Sequence, residues 1–322
     1  MRTSAKAPSS RQSVYAALLG NLLVAITKGI AAAWTGSAAM LSEAVHSFVD
    51  CGNEVLLLYG QKRAARPPDA ERPFGYGREL YFWSFVVALL IFALGAGVSI
   101  YVGIMHIRDP HDVSDPRVNY IVLALAFVFE GVSWWISFRQ FRSASGRRDL
   151  YEAFRRSKDP PSFMVLFEDS AALLGIVIAA AGTFAASTLD MPVFDGVASI
   201  LIGLILAGVA TLLARESKSL LIGEPGDRDF TDSICTISTQ VRGVVGANDV
   251  LTSYLSPDQV VVSLSIEFED TLRVPELEEL VKEIERRVRA EHPEVVSLFI
   301  KPQTPQTFRE ARAARRRSAE ED

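Results

Sequence analysis

The first two-thirds of the chain is a succession of apolar runs separated by short polar loops, and the last third has ordinary soluble patterning. Six runs reach the length of about 20 residues that a helix needs to cross a bilayer. They fall at about 13–34, 38–60, 80–106, 118–139, 163–187 and 194–213. Spans one and two are joined by little more than Thr35, Gly36 and Ser37, which predicts a tight helical hairpin. From about residue 220 the period changes. FTDSICTISTQVRG reads as an amphipathic helix, and NDVLTSYLS and QVVVSLSIEFED alternate as two strands of a hairpin around a turn at SPD. VPELEELVKEIERRVRAEH is helical, with charge pairs such as Glu283 and Arg287 one turn apart. EVVSLFIKP closes the series as a strand.

These elements predict a membrane α-helical protein of six transmembrane helices followed by a two-layer C-terminal cytosolic α+β domain in the order αββαβ. The expected boundaries are a cytosolic N-terminal segment at 1–12, a six-helix transmembrane domain at 13–214 and a linker at 215–226. The α+β domain follows at 227–304 and a disordered charged tail at 305–322, where arginine and acidic blocks offer no apolar face to bury.

Lysine and arginine orient the spans. Arg2, Lys6 and Arg11 precede span one; Lys62, Arg63, Arg66, Arg72 and Arg78 separate spans two and three. Arg142, Arg147, Arg148, Arg155, Arg156 and Lys158 separate spans four and five. The one-to-two and five-to-six loops carry neither residue, and Arg108 and Arg117 in the three-to-four loop are offset by Asp109, Asp112 and Asp115. Both termini are therefore expected in the cytosol. The first twelve residues have no cleavage site after an apolar core, so the start is read as uncleaved; their lack of acids leaves a transit peptide as the alternative. A formal net charge of −5 gives no electrostatic footprint for nucleic acid. Cys51 and Cys235 form neither a disulfide framework nor a CxxC zinc motif.

The informative stretch is LSEAVHSFVDCGN in span two, which carries Glu43, His46 and Asp50 at membrane depth. An ionisable group there costs at least about 2.5 kcal/mol unless it is satisfied. Glu43, His46, Asp50 and Asn53 recur at three- and four-residue intervals and share one helix face. An imidazole and a carboxylate one turn apart supply half of a tetrahedral site for a borderline divalent metal. Span five breaks its own apolar run with Glu168 and Asp169, followed by Ala171, Ala172 and Gly175, small residues that admit a neighbouring helix. The other reading is structural: a hydrogen-bonded intramembrane histidine, and an acidic pair at a span end. Lys28 and Glu130 also fall within spans, and nothing in the sequence makes them ligands.

Several stretches together resemble the cation diffusion facilitator family. GNLLVAITKGIAAAWTGSAAMLSEAVHSFVDCGN is similar to the family's first hairpin, RPFGYGRELYFW to its cytosolic loop, and EDSAALLGIVIAA to its span five. The resemblance covers about 13–303, and the span-five pattern resembles the branch of mitochondrial-type zinc transporters. It implies a membrane-embedded homodimer with a ferredoxin-like, metallochaperone-like tail domain. It also implies a divalent cation held between spans two and five and exported from the cytosol in exchange for protons by alternating access. Carried over, His46 and Asp50 match the span-two ligands and Asp169 matches the second span-five ligand. The family's other span-five ligand falls at Val165, which cannot bind metal; Glu168, Glu43 or a water then completes the shell. Where some members have histidines in the cytosolic loop this chain has Arg72 and Tyr76, with Asp69 alone, and in the tail only His292 remains. No metal is expected at either place.

Ligands must be deprotonated to bind metal, so loading and proton release are linked. Imidazole with carboxylates favours zinc; iron(II), cobalt and cadmium fit similar donors, and the Glu168–Asp169 pair leaves manganese open. The metal is cargo, and no cofactor is expected. Arg78 is read either as a partner of Glu216 or as a snorkelling anchor. Gly95, Gly97, Gly203 and Gly208 are read as packing positions, and Trp134 and Trp135 as packing or interface anchors. An intramembrane metalloprotease would need HExxH, which the chain lacks. A non-transporting scaffold or sensor remains the competing class. Composition rich in Ala and Arg leans towards a bacterial plasma membrane, with an organelle membrane as the alternative.

Overall fold

Helices α1 (Arg11–Thr35) and α2 (Ala38–Ala64) form the predicted hairpin in the computed structural model, which describes residues 11–145, 154 and 157–320. Segment 1–10 and the loop arginines Arg147, Arg148, Arg155 and Arg156 lie outside the described residues. The turn is built on Gly36, whose φ of +69° is a left-handed conformation that glycine adopts without strain. The hairpin continues into α3 (Glu79–Arg108), α4 (Pro116–Ser145), α5 (Pro160–Thr188) and α6 (Val193–Ile222). Five of the six, all but α2, are long and apolar enough to cross a membrane. The exception is the helix with the ionisable stripe. Its Glu43, His46 and Asn53 are buried, while Leu41, Phe48, Val55 and Tyr59 on the opposite side are exposed. That is the arrangement an intramembrane polar stripe requires.

Small residues decide the close approaches. A methyl group on Gly103 of α3 would lie 2.6 Å from the carbonyl of Gly196 on α6, and one on Gly203 would lie 3.0 Å from the carbonyl of Ala96. Between these contacts Ser199 Oγ donates to the carbonyl of Ser99 at 2.7 Å and lies 2.6 Å from Ser42 Oγ on α2. Of the four glycines read as packing positions, Gly203 and Gly95 face α6 or α3 side chains, whereas nothing would meet a methyl on Gly208 and only a carbonyl of its own helix would meet one on Gly97. The helix is π-wound over Ile91–Ala96, and the wide turn re-phases the residues beyond it. At the far end of the hairpin, Asp195 of α6 accepts hydrogen bonds from Ser37 Oγ at 2.7 Å and from the Ala38 and Ala39 amides, and so caps α2 from another helix.

The second unit comprises residues 64–78 and 219–322. Its elements are α7 (Arg228–Thr239), β1 (Val244–Ser256), β2 (Gln259–Phe268), α8 (Val274–Glu291) and β3 (Val295–Pro302). They follow the predicted αββαβ order, with β2 central, antiparallel to β1 and parallel to β3. Val260, Val262, Leu264 and Ile266 alternate along β2 and are fully buried against Ile234, Ile284 and Val288 of the two helices. Loop 64–78 belongs to this unit: Phe74 packs edge-on against Phe299, and Arg78 donates to Ser253 Oγ at 3.3 Å.

Two expectations are corrected. Residues 305–320, read as a disordered tail, form helix α9 (Pro305–Glu320). Alanine and arginine are strong helix formers, and local propensity suffices without an apolar face to bury. Much of the segment read as linker 215–226 is helical too, since α6 runs to Ile222 before Gly223, at φ +120°, ends it.

Candidate metal centre

Antiparallel packing of α1 on α2 sets the polar contacts of the hairpin. Asn21 Nδ2 donates to Glu54 Oε2 at 3.1 Å. Seven residues further along α1, and seven back along α2, Lys28 Nζ donates to Ser47 Oγ at 2.9 Å. Lys28 also pairs with Glu43 Oε2 at 3.0 Å and lies 3.8 Å from Glu130 Oε1 of α4. Lys28 and Glu43 are completely buried. Glu43, a candidate ligand in the sequence, is therefore the counter-ion of a buried lysine. Its other oxygen, Oε1, has no hydrogen-bond partner and presses against Gly175 of α5, where any side chain would collide with it.

His46 and Asp50 lie one turn further along the same stripe. His46 Nδ1 is 3.3 Å from Asp50 Oδ1. Both ring nitrogens and Asp50 Oδ1 are buried without a hydrogen bond, as is Oδ1 of Asn53. Buried polar atoms are ordinarily satisfied, and this imidazole and carboxylate carry the kinds of donor atom that a divalent cation takes.

On α5 the two adjacent acids separate, as residues about 100° apart on a helix must. Glu168 turns towards α2, where its Oε1 accepts from Asn53 Nδ2 at 3.2 Å. Asp169 turns towards α4 and accepts from Ser133 Oγ at 3.0 Å and Ser137 Oγ at 3.3 Å. Among the described residues no three His, Cys, Asp or Glu side chains converge at metal-binding distance. The structure thus pairs His46 with Asp50, sets Glu168 beside Asn53, and engages Glu43 and Asp169 elsewhere.

The partners of these acids are less legible in the sequence. Lys28 and Glu130 stood out only as charges in spans, and Ser133 and Ser137 not at all. A signal existed: Glu130, Ser133 and Ser137 recur at three and four residues, a polar stripe in an apolar span. The two subsidiary positions are occupied locally. Asp69 accepts from Tyr76 Oη at 2.6 Å and from the Arg72 and Glu71 amides, which holds its carboxyl below the usual range. His292 Nε2 lies 2.8 Å from Ser233 Oγ, and its Nδ1 lies 3.4 Å from Glu294 Oε1.

Comparison with known proteins agrees with this architecture. Residues 14–222 match the family model of the cation efflux transmembrane domain, and residues 227–302 match that of the cation efflux protein cytoplasmic domain. The chain is 31% identical over 244 residues to the mitochondrial proton-coupled zinc antiporter SLC30A9 of Xenopus laevis, covering 75% of this chain and 44% of that protein. It is 33% identical over 221 residues to metal tolerance protein C4 of Arabidopsis thaliana, covering 68% of this chain and 48% of the relative. The cation-efflux pump FieF of Escherichia fergusonii is 25% identical over 285 residues, 88% of this chain and 89% of the pump. The chain thus spans a little under half the length of the first two relatives. With both of its parts matched, the chain belongs to the cation efflux family, the cation diffusion facilitators, and its relatives include the mitochondrial-type zinc transporter branch.

Proposed function

We propose that this membrane protein exports zinc from the cytosol in exchange for protons, with the cation bound between α2 and α5 by His46, Asp50 and Glu168, and with Asp169 entering the shell during the cycle. The observation that carries the reading is the His46–Asp50 pair: three buried polar atoms without hydrogen bonds, one turn apart, on the stripe that faces Glu168 through Asn53. One nitrogen and several carboxylate oxygens suit zinc. Lys28 is paired with Glu43 and lies near Glu130, and among the described residues no lysine or arginine forms an ion pair with Asp50, Glu168 or Asp169. A dication and protons compete for such a set: metal entry from the cytosol displaces protons, and protons arriving from the other side displace the metal. Glu43 serves this site as the partner of Lys28 rather than as a ligand.

The working unit is a homodimer, the assembly that likeness to the cation diffusion facilitators implies, with the C-terminal domain as its cytoplasmic part. Both termini lie in the cytosol, following the lysine and arginine bias, and composition favours a bacterial plasma membrane. The test is zinc uptake into proteoliposomes under an imposed proton gradient, with the wild-type chain beside His46→Ala and Asp50→Ala. Loss of a supporting group around a metal site costs about 10- to 100-fold in affinity or activity, and loss of a ligand should cost at least as much. Gradient-dependent uptake abolished by both substitutions is expected. Uptake of manganese or iron(II) in place of zinc would correct the substrate, and no uptake of any of the three would leave the scaffold reading.

A further inference from the structure

Hydroxyls inside apolar helices usually bond back to the carbonyl four residues earlier. Ser84, Ser170, Thr27 and Thr211 all do so here. Ser133 and Ser137 of α4 instead both donate across to α5, and both to the same atom, Oδ2 of Asp169. They are one turn apart on one face, so together they form a two-hydroxyl cradle for a single carboxylate. Adhesion between α4 and α5 does not require it, because Trp134 Nε1 already donates to Ser170 Oγ at 2.8 Å at the same level. The neighbouring acid Glu168 meanwhile faces α2. One helix thus presents one acid to the His46–Asp50 stripe and keeps the next on α4.

We propose that Ser133 and Ser137 are positioning residues that hold Asp169 on α4 while the central site is free of metal and surrender it when a cation binds, thereby weakening metal affinity and speeding release. The proposal rests on the reading that the cation binds between α2 and α5. A cation that recruits Asp169 must overcome the cradle, since a ligand shifts an equilibrium only by its difference in affinity for the two arrangements. Two polar contacts of the strength typical at membrane depth amount to a factor of about ten.

The experiment measures equilibrium zinc binding by competition with a fluorescent chelator, and zinc release after dilution, on the purified full chain. Ser133→Ala/Ser137→Ala is expected to bind zinc about tenfold tighter and to release it more slowly. Ser133→Thr/Ser137→Thr, which keeps both hydroxyls, is expected to restore wild-type values. In an Asp169→Asn background the alanine pair should lose most of its effect. If the alanine pair does not fold, each single alanine substitution is read instead, with about a threefold tightening expected. Unchanged or weaker binding in the alanine variants overturns the cradle, and weaker binding would make the serines supports of a liganding Asp169. Zinc binding that survives Asp50→Ala overturns the central site and the cradle together; binding that Asp50→Ala abolishes but the alanine pair leaves unchanged overturns the cradle alone.

Discussion

Replacing Lys28 by methionine keeps the length and apolar body of the side chain and removes its charge. In the folded protein Lys28 is completely buried, donates to Glu43 Oε2 at 3.0 Å and Ser47 Oγ at 2.9 Å, and stands 3.8 Å from Glu130. Without it, Glu43 becomes a fully buried carboxylate whose Oε1 is already without a partner and cannot retreat past Gly175. Removing one member of a buried pair costs about 3–5 kcal/mol, mainly because the other charge is stranded. Membrane proteins lose less per polar contact, about 0.6 kcal/mol on average, because the unfolded chain in the bilayer finds other partners. Stranding a charge is the larger effect, so about 3 kcal/mol is expected for Lys28→Met. Lys28→Met/Glu43→Gln removes both charges of the closest pair and should recover most of that loss, short of wild type because Glu130, 3.8 Å from Lys28, still loses its partner. The assay is reversible unfolding in mixed micelles, followed by helical circular dichroism, for wild type, both single variants and the double. The double-mutant cycle should yield a coupling of at least about 2 kcal/mol, within the range for residues in contact. A Lys28→Met variant within about 1 kcal/mol of wild type would refute the reasoning, and so would a double variant no more stable than Lys28→Met.

Two further outcomes test packing and capping. Gly103→Ala puts a methyl 2.6 Å from the backbone carbonyl of Gly196, which cannot rotate away, and should cost about 1–3 kcal/mol; Gly208→Ala, with nothing within 4 Å, should be neutral or stabilising by up to about 1 kcal/mol, as unfolding midpoints of the two variants would register. Asp195→Ala removes the acceptor for the first amides of α2 and should destabilise the protein by about 1–2 kcal/mol, with faster hydrogen exchange at Ala38 and Ala39 as its local signature.

The six spans, the tight hairpin at Gly36 and the αββαβ domain were all legible in the chain, because each is set by a period or by a residue with a special backbone. An apolar run of about 20 residues has few alternatives to a transmembrane helix, and alternation along Val260, Val262, Leu264 and Ile266 marks the central strand of a covered sheet. The polar stripe of α2 was legible for the same reason: three- and four-residue spacing puts Glu43, His46, Asp50 and Asn53 on one face whatever the neighbours are. Helix α9 was not legible from burial, since its sequence, rich in Ala and Arg, forms a helix by propensity without an apolar face.

Which residues meet across helices was decided only by tertiary structure. The sequence determined that Glu168 and Asp169 point about 100° apart; it could not say which of the two would face α2, because that depends on the rotation of α5 against its neighbours. Packing settled it, with Ala171 and Ala172 buried, Gly175 against Glu43, Glu168 towards Asn53, and Asp169 towards Ser133 and Ser137. Lys28 is the clearest case. In the chain it is a lone charge in an apolar span, 15 residues from Glu43 and about 100 from Glu130. Only the antiparallel closure of α1 on α2, with α4 alongside, turns those three charges into one buried network.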